Sequence, residues 1–353
     1  MTMKRKQQRR RLRVAVLMGG WSHERSVSFM SGETMFAHVA PERYEKRAVQ
    51  ICADGALKLL PPGVAPATAA WRAARRMTLT EGFAALQHWG VDAVVLALHG
   101  AGGEDGVLQG FLETLGIPYT HSGVRGSAAA IDKVISKQVY LACGIPTPAC
   151  RVVTPDDGLA ALSGGSLAFP LVVKSPCLGS SYGVHIVDAP AALQRAVRQL
   201  WKIEPRVLIE RYIDGRECTC AVLERRYGAP AEALPVTEIV PVSSTYFDFK
   251  AKYTKGASRE ITPAEIAPRI ARRIQAIAVR CHQALQCESV SRTDFRLSPA
   301  GAVFALETNT IPGMTGTSLL PQAAAVAGIS FAELLDMMID YAVQRAAKAR
   351  RSP

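Results

Sequence analysis

A chain of 353 residues, 48% hydrophobic and 20% charged, is long enough for two or three lobes with buried cores and has the composition of a soluble globular protein. No apolar run approaches the ~20 residues that cross a bilayer. The basic start MTMKRKQQRRRLR runs into RVAVLMGG without a small-residue cleavage pattern, which argues against a secretory signal. The net charge of +12 gives no sign of a nucleic-acid groove, because residues 1–13 and 345–353, two basic tails expected to be solvated, carry nearly all of it.

Eight cysteines are present, none in a CxxC pair and none at zinc-like spacing with histidines. They read as reduced core thiols of a cytoplasmic protein.

Along the chain, RVAVLMGG predicts a first strand ending in glycines, followed by a helix over residues 23–38. KRAVQIC and DAVVLALHG predict further strands, the second opening into the glycine-rich loop AGGEDG, and VLQGFLETLG has helical spacing up to Gly116. Strands alternating with helices predict a parallel sheet covered on both faces. Ligands of such sheets bind beyond the strands' carboxyl ends, where His99 and the loop from Gly19 to Glu24 lie. A second lobe is expected from Ser122, with the helix IDKVISKQVYLACG stopped by Gly144 and Pro146. FPLVVKSPCLGSSYGVHIVD then reads as strand, Gly/Ser-rich turn and strand, followed by a helix over 191–201 and the strand RVLIERYI. A third lobe holds ECTCAVLE, the loop STYFDFKAKYTKGAS, a long helix predicted over 263–287, and the strands SVSRTDFRLS and AVFALETNT joined as a hairpin by PAG.

Three oxygen-bearing side chains stand on the hairpin. Asp294 lies on one strand, and Glu307 and Asn309, two apart, share a face of the other. Hard ligands of this kind suit Mg²⁺, although exposed strand residues would look the same. The chain has no P-loop, and GAGGEDG matches a dinucleotide fingerprint only in part. A better phosphate site is Lys174, closing a strand beside the loop from Leu178 to Gly183, whose backbone N–H groups can cover a triphosphate. That loop also spells G-x-S-x-G around Ser181, but VHIVD after it is strand-like, whereas a hydrolase elbow needs a helix there. Arg292, two residues before Asp294, offers a fixed charge for an oxyanion.

GGWSHERSVSFMSG, LALHGAGGEDGVLQGFLETLGIPYTHSG, FPLVVKSPCLGSSYGV, FDFKAKY, SRTDF and LETNTIPGMTGTSLLP resemble, in this order, the motifs of the D-alanine–D-alanine ligase family of the ATP-grasp superfamily. The likeness runs from Arg13 to Tyr341. It implies an α/β, three-lobe ATP-grasp fold with an N-terminal parallel-sheet, Rossmann-like domain. The lobes would be an N-terminal substrate domain at 13–121, a central lobe at 122–210 and a C-terminal lobe at 211–344, between basic tails at 1–12 and 345–353.

The resemblance also implies roles. Asp294, Glu307 and Asn309 would hold two Mg²⁺ ions, with Glu307 bridging and Mn²⁺ as an alternative. Lys133, Lys174 and Lys252 match nucleotide-contacting lysines, Ser180 and Ser181 the loop over the phosphates, and Glu210 and Glu217 the adenine and ribose side. Glu24 matches the residue that holds the ammonium of the first D-alanine, with Ser180 and Tyr253 as its hydrogen-bonding partners and His99 near that substrate. Arg292 and the Gly313 N–H match the oxyanion site, and Ser318 a contact to the second substrate's carboxylate.

The implied activity joins two D-alanines through D-alanyl-phosphate at the expense of ATP, for peptidoglycan synthesis, in a cytoplasmic homodimer with no membrane or nucleic-acid partner. The alternatives are a ligase taking D-lactate, D-serine or another amino acid second, and a catalytically silent nucleotide-binding protein.

Overall fold

The computed structural model describes residues 10–163, 167–179, 182–241 and 258–350. In the N-terminal sheet, β1 (Leu12–Gly19) runs parallel to both neighbours, β2 (Tyr44–Ile51) and β5 (Ala93–Leu96). The expected all-parallel sheet stops there. Two short strands that the sequence reading missed, β3 (Leu57–Leu59) and β4 (Arg76–Met77), extend the β2 edge antiparallel.

Both faces of this sheet are buried, which is why its strands read as continuous apolar runs. Val14, Val16 and Met18 pack on Met35 and Phe36 of helix α1 (Arg25–His38). Ala15 and Leu17, one residue out of phase, face Phe83 of α3 (Leu79–Trp89) and Leu108 of α4 (Val107–Thr114), while Trp71 of α2 (Thr68–Ala73) joins the core on the α1 side. Thr78 and Glu81 close a capping box at the start of α3, and left-handed Gly90 ends it.

The chain then forms α5 (Val124–Ile131) and α6 (Lys133–Ala142), separated by Asp132, whose carboxylate accepts from the N–H groups of Val134 and Ile135. The sequence predicts only the second of these helices and places both segments in a central lobe. Ala130 and Tyr140 on these helices, and Ile145 just after them, join the core of the C-terminal sheet, where they pack with Cys220, Cys281 and Phe295.

A separate antiparallel sheet has the order β6–β9–β7–β8, from β6 (Cys150–Val153), β7 (Leu171–Lys174), β8 (His185–Val187) and β9 (Val207–Arg211). Helix α7 (Pro190–Leu200) covers the face bearing Leu171, Val173, Val207 and Ile209. The alternate residues, Val172, Lys174 and Glu210, therefore face the opposite side.

The C-terminal sheet runs β13–β12–β10–β14–β15, with β11 on β10. Its strands are β10 (Arg216–Leu223), β11 (Glu232–Ala233), β12 (Thr237–Pro241), β13 (Ser258–Ile261), β14 (Val290–Leu297) and β15 (Val303–Asn309). Helix α8 (Pro268–Ala284) lies on one face. It is shorter than the span predicted over 263–287. Pro268 occupies its first turn and leaves Ala267 extended, while Gln286 takes a positive φ past its end.

Helices α9 (Leu319–Val326) and α10 (Phe331–Ala349) complete the chain and pack Leu320, Leu334 and Met338 against the first sheet. No single helix among the described residues is long and apolar enough to cross a membrane.

Two basic segments expected as tails are partly structural. Arg10 pairs with Asp92 at 2.7 Å, and Leu12 already belongs to β1. The helix continues through residue 345, where the Arg345 guanidinium donates to the carbonyls of His121 and Tyr119 and to Glu288 while stacking over the Tyr119 ring. A guanidinium offers five donors in a flat fork, enough to tie three segments together.

Two histidines are locked neutral in the interior: burial pushes His121 down to about 3 and His282 down to about 4. Because the folded value lies below that of the unfolded chain, the unfolded state gains the proton first as pH falls. Stability is therefore lost from the ordinary histidine value, 6.5, down towards 4. Each histidine is expected to cost about 1.4 kcal/mol per pH unit across that window. Urea unfolding of the parent and of His282→Gln at pH 7, 6 and 5 checks this; parallel slopes for the two proteins would refute it.

Candidate active site

The free face of the β6–β9–β7–β8 sheet and the outer face of the C-terminal sheet enclose a cleft. Lys133, Lys174, Glu210, Glu217, Asp294 and Glu307 line it together with the apolar side chains of Val172, Ile186, Ile213 and Leu306. Six of the side chains singled out in the sequence thus meet in one place.

A β-bulge decides which side chains reach this cleft from β15. Phe295 pairs with Ala305, but Asp294 pairs with Glu307, so Leu306 is an extra residue on that strand. Val303 and Ala305 point into the core with Phe295. Past the bulge the phase changes, and Glu307 and Asn309 stand opposite Asp294 and Arg292. The sequence carried this signal: along AVFALETN, the same parity switches from apolar to polar.

Asp294 is held firmly. Arg292 donates to both its oxygens, at 2.9 Å each, and the Thr219 hydroxyl donates to Oδ1 at 2.7 Å. Such a fork fixes the plane of the guanidinium as well as its position. Asn309 Oδ1 accepts from the Ile311 N–H at 2.9 Å, which starts the turn that follows β15.

Lys133 and Lys174 approach from the other side. The buried Lys133 ammonium sits 2.8 Å from Glu307 and donates to the Leu178 carbonyl at 3.0 Å. Burial alone would lower its pKa, but the Glu307 charge overrides that and raises it. Lys174 stands 3.1 Å from Glu210 Oε2. Glu210 is fully buried, which by itself favours the neutral acid; Lys174 and Lys137 prevail and hold it below the ordinary carboxylate range. Its Oε1 faces the Lys137 ammonium, 3.1 Å away. Glu217 lies 3.5 Å from the Arg296 guanidinium.

Glu24 and His99 form a second group at the carboxyl ends of β1 and β5. The Glu24 carboxylate is buried between two glycines. A Cβ on Gly100 or on Gly179 would come within 2.8 Å of its Oε2, so only glycine permits this approach from either side. His99 is engaged at both ring nitrogens: Nδ1 faces the Ile311 carbonyl at 3.1 Å and must carry the proton, and Nε2 accepts from the Ser31 hydroxyl at 3.1 Å. Ser31 in turn accepts from the Met314 N–H. The histidine thereby ties the first lobe to the loop after β15. Neighbouring Glu104 accepts from the Gly100 N–H at 2.8 Å; burial, with the nearby charge of Glu24, pushes its carboxyl up despite His99.

In that loop Gly313 sits against Ser318, where a Cβ would meet Oγ at 2.8 Å. The Ser318 hydroxyl accepts from the Thr315 N–H at 2.9 Å. Ser180, Ser181, Lys252 and Tyr253 lie outside the described residues. The sequence reading missed Lys137, Glu104, Ser31, Arg296 and Thr219. Only Lys137 left a signal, standing one helical turn after Lys133 on α6.

Comparison with known proteins points to one family. The family description "D-ala D-ala ligase N-terminus" matches residues 13–122, and "D-ala D-ala ligase C-terminus" matches residues 142–340. A D-alanine–D-alanine ligase of Syntrophobacter fumaroxidans is 43% identical over 339 residues, spanning 95% of this chain and 98% of that one. Among solved structures, the D-alanine–D-alanine ligase of Coxiella burnetii superposes with a TM-score of 0.79 at 26% identity, covering 97% of this chain and 96% of that one. The Bacillus anthracis enzyme complexed with ATP gives 0.74 at 30%, covering 96% and 99%.

Proposed function

This chain belongs to the D-alanine–D-alanine ligase family, and we propose that the residues of its cleft divide an ATP-dependent ligation of two D-alanines as follows. The observation that carries the assignment is the convergence of Lys133, Lys174, Asp294 and Glu307 on one cleft from separate parts of the chain.

The base of ATP lies in the slot of Val172, Ile186, Ile213 and Leu306, with Glu210 on its amino side and Glu217 beside the ribose. Lys133 and Lys174 face the phosphates. Among the described residues no group of three His, Cys, Asp or Glu side chains is placed to hold a metal ion by itself. The set Asp294, Glu307 and Asn309 is thus two carboxylates and an amide on facing strands, which fits Mg²⁺ sharing its coordination with phosphate oxygens. Mg²⁺ bound there supplies positive charge to the transferring phosphoryl group.

Glu24 holds the ammonium of the first D-alanine. One oxygen of that substrate's carboxylate attacks the γ-phosphorus, the bond to the β-phosphate oxygen breaks, and ADP and D-alanyl-phosphate result. The amine of the second D-alanine then attacks the acyl carbon and phosphate departs. Arg292, oriented by Asp294, and the Gly313 N–H stabilise the oxyanion formed in between. An acyl-phosphate hydrolyses in open water, so the cleft must close over it. From the sequence match alone we assign Ser180, Ser181, Lys252 and Tyr253 to that closure, Ser318 to the second substrate's carboxylate, and a cytoplasmic homodimer to the working enzyme.

The test is ADP release from ATP and Mg²⁺ with D-alanine alone, L-alanine, or D-alanine with D-lactate or D-serine. Release requiring only D-alanine, with D-alanyl-D-alanine as product, is expected; release only with another acceptor would reassign the second substrate, and none would refute catalysis. Glu24→Gln keeps the shape but removes the charge. It is expected to raise the KM for the first D-alanine roughly 10- to 100-fold, the value of one charged hydrogen bond. The KM for ATP should stay unchanged, and equal D-alanine KM values in initial-rate assays would remove Glu24 from this role.

A further inference from the structure

We propose that Lys137 is a positioning residue for the nucleotide: it neutralises Glu210, so that Lys174 is free to turn from that carboxylate to the phosphates of ATP. The proposal rests on reading the cleft as the ATP site and adds a residue that does not touch the ligand.

The Lys137 side chain is 1% exposed, and its ammonium is consumed within the protein. It stands 3.1 Å from Glu210 Oε1, 2.6 Å from the Thr147 hydroxyl and 3.5 Å from the Pro148 carbonyl. Thr147 is itself fixed by donating to the Ala305 carbonyl at 2.8 Å, so Lys137 cannot follow a ligand into the cleft. Lys174 and Glu210 do line the cleft. Their neighbourhood therefore holds two ammonium groups on one carboxylate, one facing the ligand and one not.

The charge count explains why both are needed. With Lys174 as its only partner, Glu210 would become an unpaired buried carboxylate whenever Lys174 moved to a phosphate, among the costliest arrangements a protein interior can hold. That cost would hold Lys174 back. With Lys137 in place, Glu210 stays paired in both positions of Lys174, and one positive charge is surplus to the protein and available to the ligand. Burial and the charge of Lys174 lower the pKa of Lys137, with Glu210 opposing, as expected for an ammonium retained only by its carboxylate.

Calorimetric titration of the full-length chain with ATP, ADP and adenosine, in Mg²⁺, separates this role from simple packing. In Lys137→Met, ATP and ADP are expected to bind roughly 10- to 100-fold more weakly, while adenosine, which has no phosphate to draw Lys174, changes by less than about twofold. On a Glu210→Gln background the same substitution is expected to shift ATP affinity by less than about twofold, because no carboxylate remains to trap Lys174. Adenosine weakening in step with ATP, or a tenfold ATP loss on the Gln background, overturns the proposal. The second comparison decides the matter even if Lys137→Met alone does not fold. A parent that binds none of the three ligands overturns the ATP reading and the proposal with it; a parent that binds them, with losses in the wrong places, overturns the proposal alone.

Discussion

Arg292→Ala is expected to lower dipeptide synthesis roughly 10²- to 10³-fold while ATP still binds with nearly the parent affinity. The reason lies in where the guanidinium is held. It sits on β14 two residues from Asp294, clamped to both carboxylate oxygens at 2.9 Å, and opposite Asn309 across the hairpin. A charge fixed in this way needs no reorganisation when the tetrahedral oxyanion forms, which is when it matters most. The nucleotide contacts proposed above are Lys133, Lys174 and Glu210, which line the cleft and which the substitution leaves in place. Asp294 keeps the Thr219 hydroxyl as a donor, so the strand should not unravel. Arg292→Lys retains the charge but not the fork, and an intermediate loss is expected. Product formation followed alongside ATP titration checks both variants. Turnover within tenfold of the parent for Arg292→Ala would place the oxyanion stabilisation elsewhere.

The parts of this molecule that were legible in the sequence are those where local pattern and function coincide. Asp294, Glu307 and Asn309 were visible because polar residues interrupt otherwise apolar strands, and Lys174 because it ends one beside a glycine-rich turn. The strand–helix alternation of the first lobe was legible for the same reason that its core is sound: both faces are covered. What could not be read depended on contacts far apart in the chain. Nothing in VLIERYI says that Glu210 will be enclosed by two lysines, one of them from α6. Nor does the helix over 133–142 announce that its Tyr140 packs against the C-terminal sheet. The antiparallel edge of β3 and β4 was missed because strands of three and two residues are too short to show a period. Arg345 was read as part of a tail because its partners, His121, Tyr119 and Glu288, are more than fifty residues away.

Glu307→Gln separates catalysis from stability at the other end of the cleft. Glu307 has two tasks, as a ligand candidate for Mg²⁺ and as the partner of buried Lys133, 2.8 Å away. Loss of the first is expected to reduce turnover by at least about 10²-fold, since a neutral amide cannot gather the cation and the phosphates as a carboxylate does. Loss of the second leaves the ammonium with the Leu178 carbonyl at 3.0 Å and the Pro176 carbonyl at 3.5 Å. Breaking a fully buried pair costs ~3–5 kcal/mol; because Glu307 is partly exposed, about 2 kcal/mol is the appropriate expectation here. Adding Lys133→Met removes the stranded charge. The double variant is therefore expected to regain most of the lost stability in urea unfolding while remaining as inactive as Glu307→Gln, because Lys133 is itself proposed to serve the phosphates. If the double variant is no more stable than the single one, the ion pair is not what holds Lys133 in place. If activity returns with stability, the loss in Glu307→Gln was one of folding, and Glu307 has no part in the chemistry.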